Sequence, residues 1–183
     1  MFLKRLNMNK SWYKIASDEY WGKKASGCLF VCREDQTILL FKRSKYVEEV
    51  GTWGITGGAI DKEERGFEDD FFDPHLEEIE NPEDEIFNNS AIKETMEEAG
   101  GFPEQHDLIG TVDFTEGSFT YRTYIYDLSL EEKNNWTSLI NLNWESDKAD
   151  WFSINALPPS MHPGIKNKFQ EIKALVLDFN PHS

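Results

Sequence analysis

The chain has 183 residues, 39% of them hydrophobic and 14% aromatic, enough to bury one good core and too apolar for disorder. Its 34 acidic and 19 basic residues give a formal net charge of −15, which argues against a nonspecific grip on nucleic acid, because that grip needs a basic surface to displace counterions. A phosphate-bearing small molecule stays open, since a bound cation can invert the local potential of an acidic protein.

Taken in order, residues 1–25 read as a basic N-terminal arm, in which Trp12, Tyr13, Tyr20 and Trp21 would anchor a cover over the core. Gly27 to Cys32 and Thr37 to Phe41 are apolar runs of strand formers joined by the polar turn Arg33-Glu34-Asp35-Gln36, which predicts a hairpin. Cys28 and Cys32 share one face of its first strand. Two thiols are too few for a zinc site, so core packing in a reducing cytoplasm is the expectation. No signal peptide and no apolar run of about 18 residues is present, so no membrane association is expected. Lys42-Arg43-Ser44 closes the second strand; Arg43 reads either as a solvated strand end or as a fork for a phosphate.

After a loop at 45–52, Trp53-Gly54-Ile55-Thr56-Gly57-Gly58 reads as a short apolar strand running into a tight glycine turn. Residues 62–84 form an acidic excursion. Between Asp61 and Glu85 there are 13 acidic and two basic residues, a net of −11 that accounts for most of the total charge. Phe67, Phe71 and Phe72 within it each have about 2–3 kcal/mol to gain by docking, which predicts a lid and not a free loop.

The stretch Ser90 to Gly100 carries the strongest signal. At 100° per residue, Glu94, Glu97 and Glu98 fall in one arc of a helix, with Ala91, Ile92, Thr95, Met96 and Ala99 on the adjoining arc. Like charges at this spacing repel by a few tenths of a kcal/mol per pair, a cost that a hard divalent ion removes. A solvated acidic surface face is the plain alternative. Asn81-Pro82 suggests a helix running from Pro82 to Ala99, but that register would put Glu85 on the apolar side and Phe87 in the acidic arc. A start near Asn88 or Asn89 is therefore expected, with Glu85 in a preceding loop and Gly100-Gly101 as the stop.

Leu108 to Val112 and Phe119 to Tyr126 read as two further strands around the turn Glu116-Gly117-Ser118. Asn134 to Trp144 is expected to be a polar loop with one short ordered piece. Ile165, Phe169, Ile172, Val176 and Phe179 recur at helical spacing and predict a packed terminal helix, with His162 and His182 on the surface.

Gly57-Gly58, Glu85 and the block Lys93-Glu94-Thr95-Met96-Glu97-Glu98-Ala99-Gly100 together resemble the signature of the Nudix hydrolases, interrupted by about twenty extra residues between the glycines and Glu85. Lys93 stands where that pattern has Arg, and Thr95 and Gly101 where it has apolar residues. The resemblance covers roughly Gly27 to Phe179 and implies one domain, an α/β/α sandwich around a mixed sheet. It implies Mg²⁺, with Mn²⁺ as a substitute, held by Glu94, Glu97, Glu98 and the Gly57 carbonyl, with Gly58, Lys93 and Glu85 in support. Glu94 would be a ligand or general base. Glu145, ahead of Trp151 and Leu157-Pro158, matches a Glu that reaches the metal cluster from across the fold, with Asp147 and Asp150 as rivals. Arg43 and Trp53 are the implied substrate contacts.

The implied reaction is hydrolysis of a pyrophosphate bond in a nucleoside diphosphate linked to another group, or in an NTP. The expected partner is a small nucleotide, without nucleic acid, and a homodimer stays open. A noncatalytic nucleotide sensor and an acidic protein-binding adaptor are the competing classes. Neither would turn over a substrate.

Overall fold

The structure is a computed structural model that describes residues 24–60, 67–68, 71–72 and 82–178. Nine strands and three helices occur in these residues: β1 Lys24–Cys32, β2 Thr37–Arg43, β3 Trp53–Gly54, β4 Thr56–Ala59, β5 Phe67–Glu68, β6 Phe71–Phe72, α1 Pro82–Ala99, β7 Asp107–Glu116, β8 Phe119–Asp127, α2 Leu130–Thr137, β9 Ser146–Ser153 and α3 Pro163–Asp178.

Seven strands make one mixed sheet, in which β1 runs parallel to β8 and antiparallel to β2 and β4. Alternation along β1 sorts its side chains to two faces. Cys28 and Phe30 join Phe87, Ala91 and Ala99 of α1 in one core, while Leu29 and Val31 join Ile165, Phe169, Ile172 and Val176 of α3 in the other. The expected α/β/α sandwich is thus present, and α3 buries Ile165, Phe169, Ile172 and Val176 of the residues its period selected, the fifth, Phe179, lying outside the described residues. Both cysteines are free and buried, as expected for core packing. No described helix is long and apolar enough to cross a membrane.

The sheet forks. β1 and β2 pair only at Val31 with Ile38 and Cys32 with Thr37, after which β3 takes up the free edge of β2 and β4 that of β1. The segment from Trp53 to Ala59 therefore crosses the fork, and Gly57-Gly58 lies in a paired strand instead of the tight turn that the sequence suggested. Local sequence could not show this, because the strand's partners, Gly27 and Ser26, lie some thirty residues upstream.

A second correction concerns α1, a single helix from Pro82, not one restarted near Asn88. Residues Pro82 to Asp84, grouped with the insertion above, are its first turn. What holds this turn is polar and distant in sequence. Arg122 of β8 donates Nη1 to Asp84 Oδ1 at 2.7 Å, and Tyr124 donates its hydroxyl to the Asp84 carbonyl at 2.8 Å. One turn on, the Tyr126 hydroxyl and Asn88 Oδ1 lie 2.5 Å apart. Arg122 is itself clamped by both oxygens of Asp113 at 2.8 Å. Phe87 is buried on the same side as Glu94 and Glu98, about two and three turns before them, so the two kinds of residue share a face instead of spoiling it.

A third helix, α2, starts before the expected loop at 134–144. Ser129 caps it, its hydroxyl accepting from the Glu132 amide at 3.1 Å. The N-terminal arm, most of the acidic insertion and His182 lie outside the described residues. So do the side chains of Phe67, Phe71 and Phe72, although the backbones of Phe67 and Phe72 pair in the antiparallel β5–β6 ladder.

Candidate metal and phosphate site

The face of α1 that bears Glu94 and Glu98 is turned to the sheet and not to solvent. Glu98 is only 6% exposed, whereas Met96, expected to pack, is 53% exposed. The reason is the glycine pair opposite. A Cβ on Gly58 would lie 2.6 Å from the Glu94 carboxyl carbon, and one on Gly57 would lie 2.4 Å from the Ser26 carbonyl oxygen. Only glycine leaves room for a helix carboxylate against this strand. The Gly57 amide fills the space usefully, donating to Glu98 Oε1 at 2.8 Å.

Thr95 explains itself at the same contact. It is fully buried, its hydroxyl 2.7 Å from that of Thr56 on β4, and it donates to the Ala91 carbonyl at 2.9 Å. A polar residue stands at an apolar position because the strand supplies its partner.

Glu145 enters from the third side. The loop after α2 caps the C-terminus of α1, with the Asn141 amide donating to the Ala99 carbonyl at 2.8 Å and the Asn143 amide to the Glu98 carbonyl at 3.1 Å. Asn143 Oδ1 then accepts the Glu145 amide at 2.9 Å. Of the three acids considered there, Glu145 is the one whose charge acts on Glu98. Asp150 instead pairs with Lys148 at 2.5 Å, and Asp147 is exposed.

Burial, reinforced by Glu145 and Glu94, pushes the Glu98 carboxyl up to about 8, against the opposing pull of the Gly57 amide and Arg43. Arg43 therefore stands near the cluster. Its Nε donates to the Glu48 carbonyl at 2.7 Å, and the β2–β9 register slips between Lys42 and Arg43, an irregularity of the kind that re-aims side chains. Tyr121, unremarked in the sequence, packs its hydroxyl where a Cβ on Gly27 or Gly57 would sit, and burial raises its pKa. Only a long-range pairing pattern could have singled it out.

Other candidates do not join the cluster. Glu97 is exposed, with its Oε1 4.0 Å from Lys93 Nζ. Glu85 is exposed in the first turn of α1, half a turn around and more than two turns from Glu94, so it does not approach from a loop as expected. Trp53 stacks edge-on against Phe152 at 4.7 Å on the α3 side of the sheet, the opposite face from Glu94 and Glu98. His162, expected on the surface, is half-buried and holds the start of α3, with Gly164 N donating to its Nδ1 at 3.2 Å. Burial and Arg43 lower its pKa.

Among the described residues no three acidic, histidine or cysteine side chains already converge tightly enough to hold an ion. The donor chemistry nevertheless fits a hard cation. It comprises carboxylates, with the buried hydroxyls of Ser26, paired with Gly58, and Ser90, one turn before Glu94, lacking any hydrogen-bond partner. Burial holds the Cys28 thiol protonated, its pKa pushed up to about 12, which keeps a soft ligand out of the set.

The NUDIX domain family matches residues 22–172. Among solved structures, the chain is similar to a Nudix hydrolase from M. smegmatis, RenU, with a TM-score of 0.56 at 22% identity over 89% of this chain and 91% of that one. It is similar to a C. elegans Ap4A hydrolase in a binary complex, with a TM-score of 0.54 at 16% identity over 85% and 98%. A MutT NUDIX hydrolase from Burkholderia pseudomallei gives 0.51 at 19% identity over 82% and 97%. These likenesses establish the fold. No curated protein matches.

Proposed function

The chain belongs to the NUDIX family, and on that premise we propose that it is a divalent-metal-dependent hydrolase of the pyrophosphate bond in a nucleoside diphosphate linked to another group, or in an NTP. The observation that carries the reading is the packing of Glu94 and Glu98 against the Gly57-Gly58 strand, with Glu98 buried and the charges of Glu94 and Glu145 acting on it. Such an arrangement is costly by itself and becomes favourable when a cation displaces the proton.

Glu94 and Glu98 would hold Mg²⁺ or Mn²⁺ from α1, with the backbone of Gly57-Gly58 beside them and Glu97 at the solvent edge. When bound, the ion supplies charge neutralisation for the phosphates and a more acidic water. Glu145 would accept a proton from the attacking water, Glu94 being the rival base. The Gly57 amide fixes Glu98, and Asn143 holds Glu145 both by its backbone amide and, through Nδ2, by Oε1 at 3.4 Å, so both carboxylates have a partner before substrate arrives. Arg43 is the phosphate contact. Lys93 supports Glu97, whereas Glu85 and Trp53 drop out of the machinery on their positions. Free buried thiols suit a reducing cytoplasm.

The test is turnover with and without Mg²⁺ on nucleotide sugars, ADP-ribose, dinucleoside polyphosphates, NADH and (d)NTPs. Release of a nucleoside monophosphate or phosphate that Glu98→Gln and Glu97→Gln each largely remove is expected. No Mg²⁺-dependent product from any of them, or near-normal turnover in both variants, would defeat the reading and return the sensor or the adaptor.

A further inference from the structure

Resting on that reading, we propose that Tyr46 and Trp144 form the stacking surface for the planar base of the nucleotide, beside the phosphate-binding groups. Both rings are largely in water, Tyr46 67% and Trp144 62% exposed, and among the described residues neither stacks on another aromatic ring. Nor does the Trp144 indole N–H have an acceptor there. Two large aromatic side chains left uncovered forfeit burial, which marks them as contacts for something the free protein lacks.

Their position says what that is. Although 98 residues apart, they are joined through one buried serine: Ser44 donates its amide to the Glu145 carbonyl at 2.8 Å and its hydroxyl to the Trp144 carbonyl at 2.7 Å, and the Tyr46 amide donates to Ser44 Oγ at 3.2 Å. Chain continuity then puts Trp144 next to Glu145, and Tyr46 three residues after Arg43. Aromatic surface thus adjoins the cation that would meet phosphate and the carboxylate that would serve as base. A ligand with a flat apolar end and an anionic end matches that sequence of chemistry. Lys45, its Nζ 4.9 Å from the centre of the Tyr46 ring, adds positive charge on the same side.

The Tyr46 loop is also held in shape. Arg43 N donates to the Thr52 carbonyl and Gly51 N to the Arg43 carbonyl, each at 2.9 Å, while Thr52 N reaches the Glu49 carbonyl at 3.1 Å. Glu49 and Gly51 take the left-handed conformation, at φ 55° and 74°, to close it. A ring presented on a tied loop loses less freedom on binding than one on a slack loop. Stacking tolerates any base, because every base has a π-face. This surface therefore selects a nucleotide over a base-free pyrophosphate without choosing among bases.

Calorimetric titration of α,β-methylene-ADP and of methylenediphosphonate, both in Mg²⁺, into the full chain tests this without needing turnover. Trp144→Ala and Tyr46→Ala should each weaken the nucleotide analogue by about tenfold or more, leave the base-free ligand within about twofold, and Trp144→Phe should restore most of the loss. An unchanged nucleotide Kd in both alanine variants overturns the proposal. So does equal weakening of both ligands, or a wild type that does not prefer the nucleotide. If turnover is found while these Kd values stay put, the stacking surface fails and the hydrolase stands; if the Kd values shift and no substrate turns over, the reverse holds.

Discussion

Glu98→Gln should make the metal-free protein more stable at neutral pH, and by an amount that depends on pH. In the folded wild type the Glu98 carboxyl keeps its proton to about pH 8, against 4.5 for an unperturbed glutamate. Between those limits the folded state holds a proton that the unfolded state has released. The carboxyl's contribution to stability is therefore fully present below pH 4.5 and is lost as pH rises towards 8. Each unit costs about 1.4 kcal/mol, so about 3 kcal/mol is forgone by pH 7. A glutamine does not titrate, and its amide oxygen can keep the 2.8 Å bond from the Gly57 amide. Urea unfolding in EDTA at pH 5 and pH 7.5 should show the variant gaining about 3 kcal/mol relative to wild type between the two conditions. Millimolar Mg²⁺ should return the wild type towards the variant and leave the variant unmoved. A difference between the two proteins that is the same at both pH values would refute the argument, because burial would then not be holding the proton on Glu98.

Thr95→Val should cost about 1–2 kcal/mol by removing the partner of the Thr56 hydroxyl, and adding Thr56→Val should recover part of that loss; additive losses in denaturant melts would show that the two hydroxyls do not act as a pair. Lys93→Arg should be tolerated or raise turnover, since a forked guanidinium can hold Glu97 where the ammonium stands 4.0 Å away; a loss of kcat beyond about tenfold would mean that Lys93 acts by another contact. Replacing residues 62–81 with a short turn should preserve α1 and metal affinity while changing KM, because Asp84 ties the first turn of that helix to Arg122 and Tyr124 from inside the retained chain; a shortened protein of normal helicity that no longer binds Mg²⁺ would place ligands in the insertion.

Where sequence and structure agree, a single local rule decides the element. The first hairpin buries its two apolar runs, and α3 buries Ile165, Phe169, Ile172 and Val176 at the helical spacing, because each packs into an apolar core. The start of α1 escaped because its support is ionic and crosses from β8. Asp84 and Asn88 looked like loop residues until Arg122, Tyr124 and Tyr126 supplied partners. The carboxylate face departs from expectation for a related cause. Charge on a helix normally marks the solvent side, and only the glycine strand opposite allows Glu98 to be among the most buried residues of α1. The start of α2 was within reach, since Ser129-Leu130-Glu131-Glu132 has the spacing of a capping box.

The fork in the sheet explains why one site can be assembled from such distant pieces and still carry a long insertion. Because β1 and β2 separate after two residue pairs, β4 can lie along β1 and bring its glycines under the last two turns of α1. The same helix end is capped by the loop that delivers Glu145, so Glu98 is held from its side chain by Gly57 and from its carbonyl by Asn143. Each of these contacts lies at 59 or below, or at 84 or above. The chain between them leaves from Ile60, whose amide is fastened to the Lys24 carbonyl at 3.0 Å, and returns at Pro82, just before Asp84 is fastened to Arg122. With both ends secured on the sheet, lengthening the connection costs only loop-closure entropy, about 0.6 kcal/mol for each doubling. The signature can therefore be interrupted in sequence and remain whole in space.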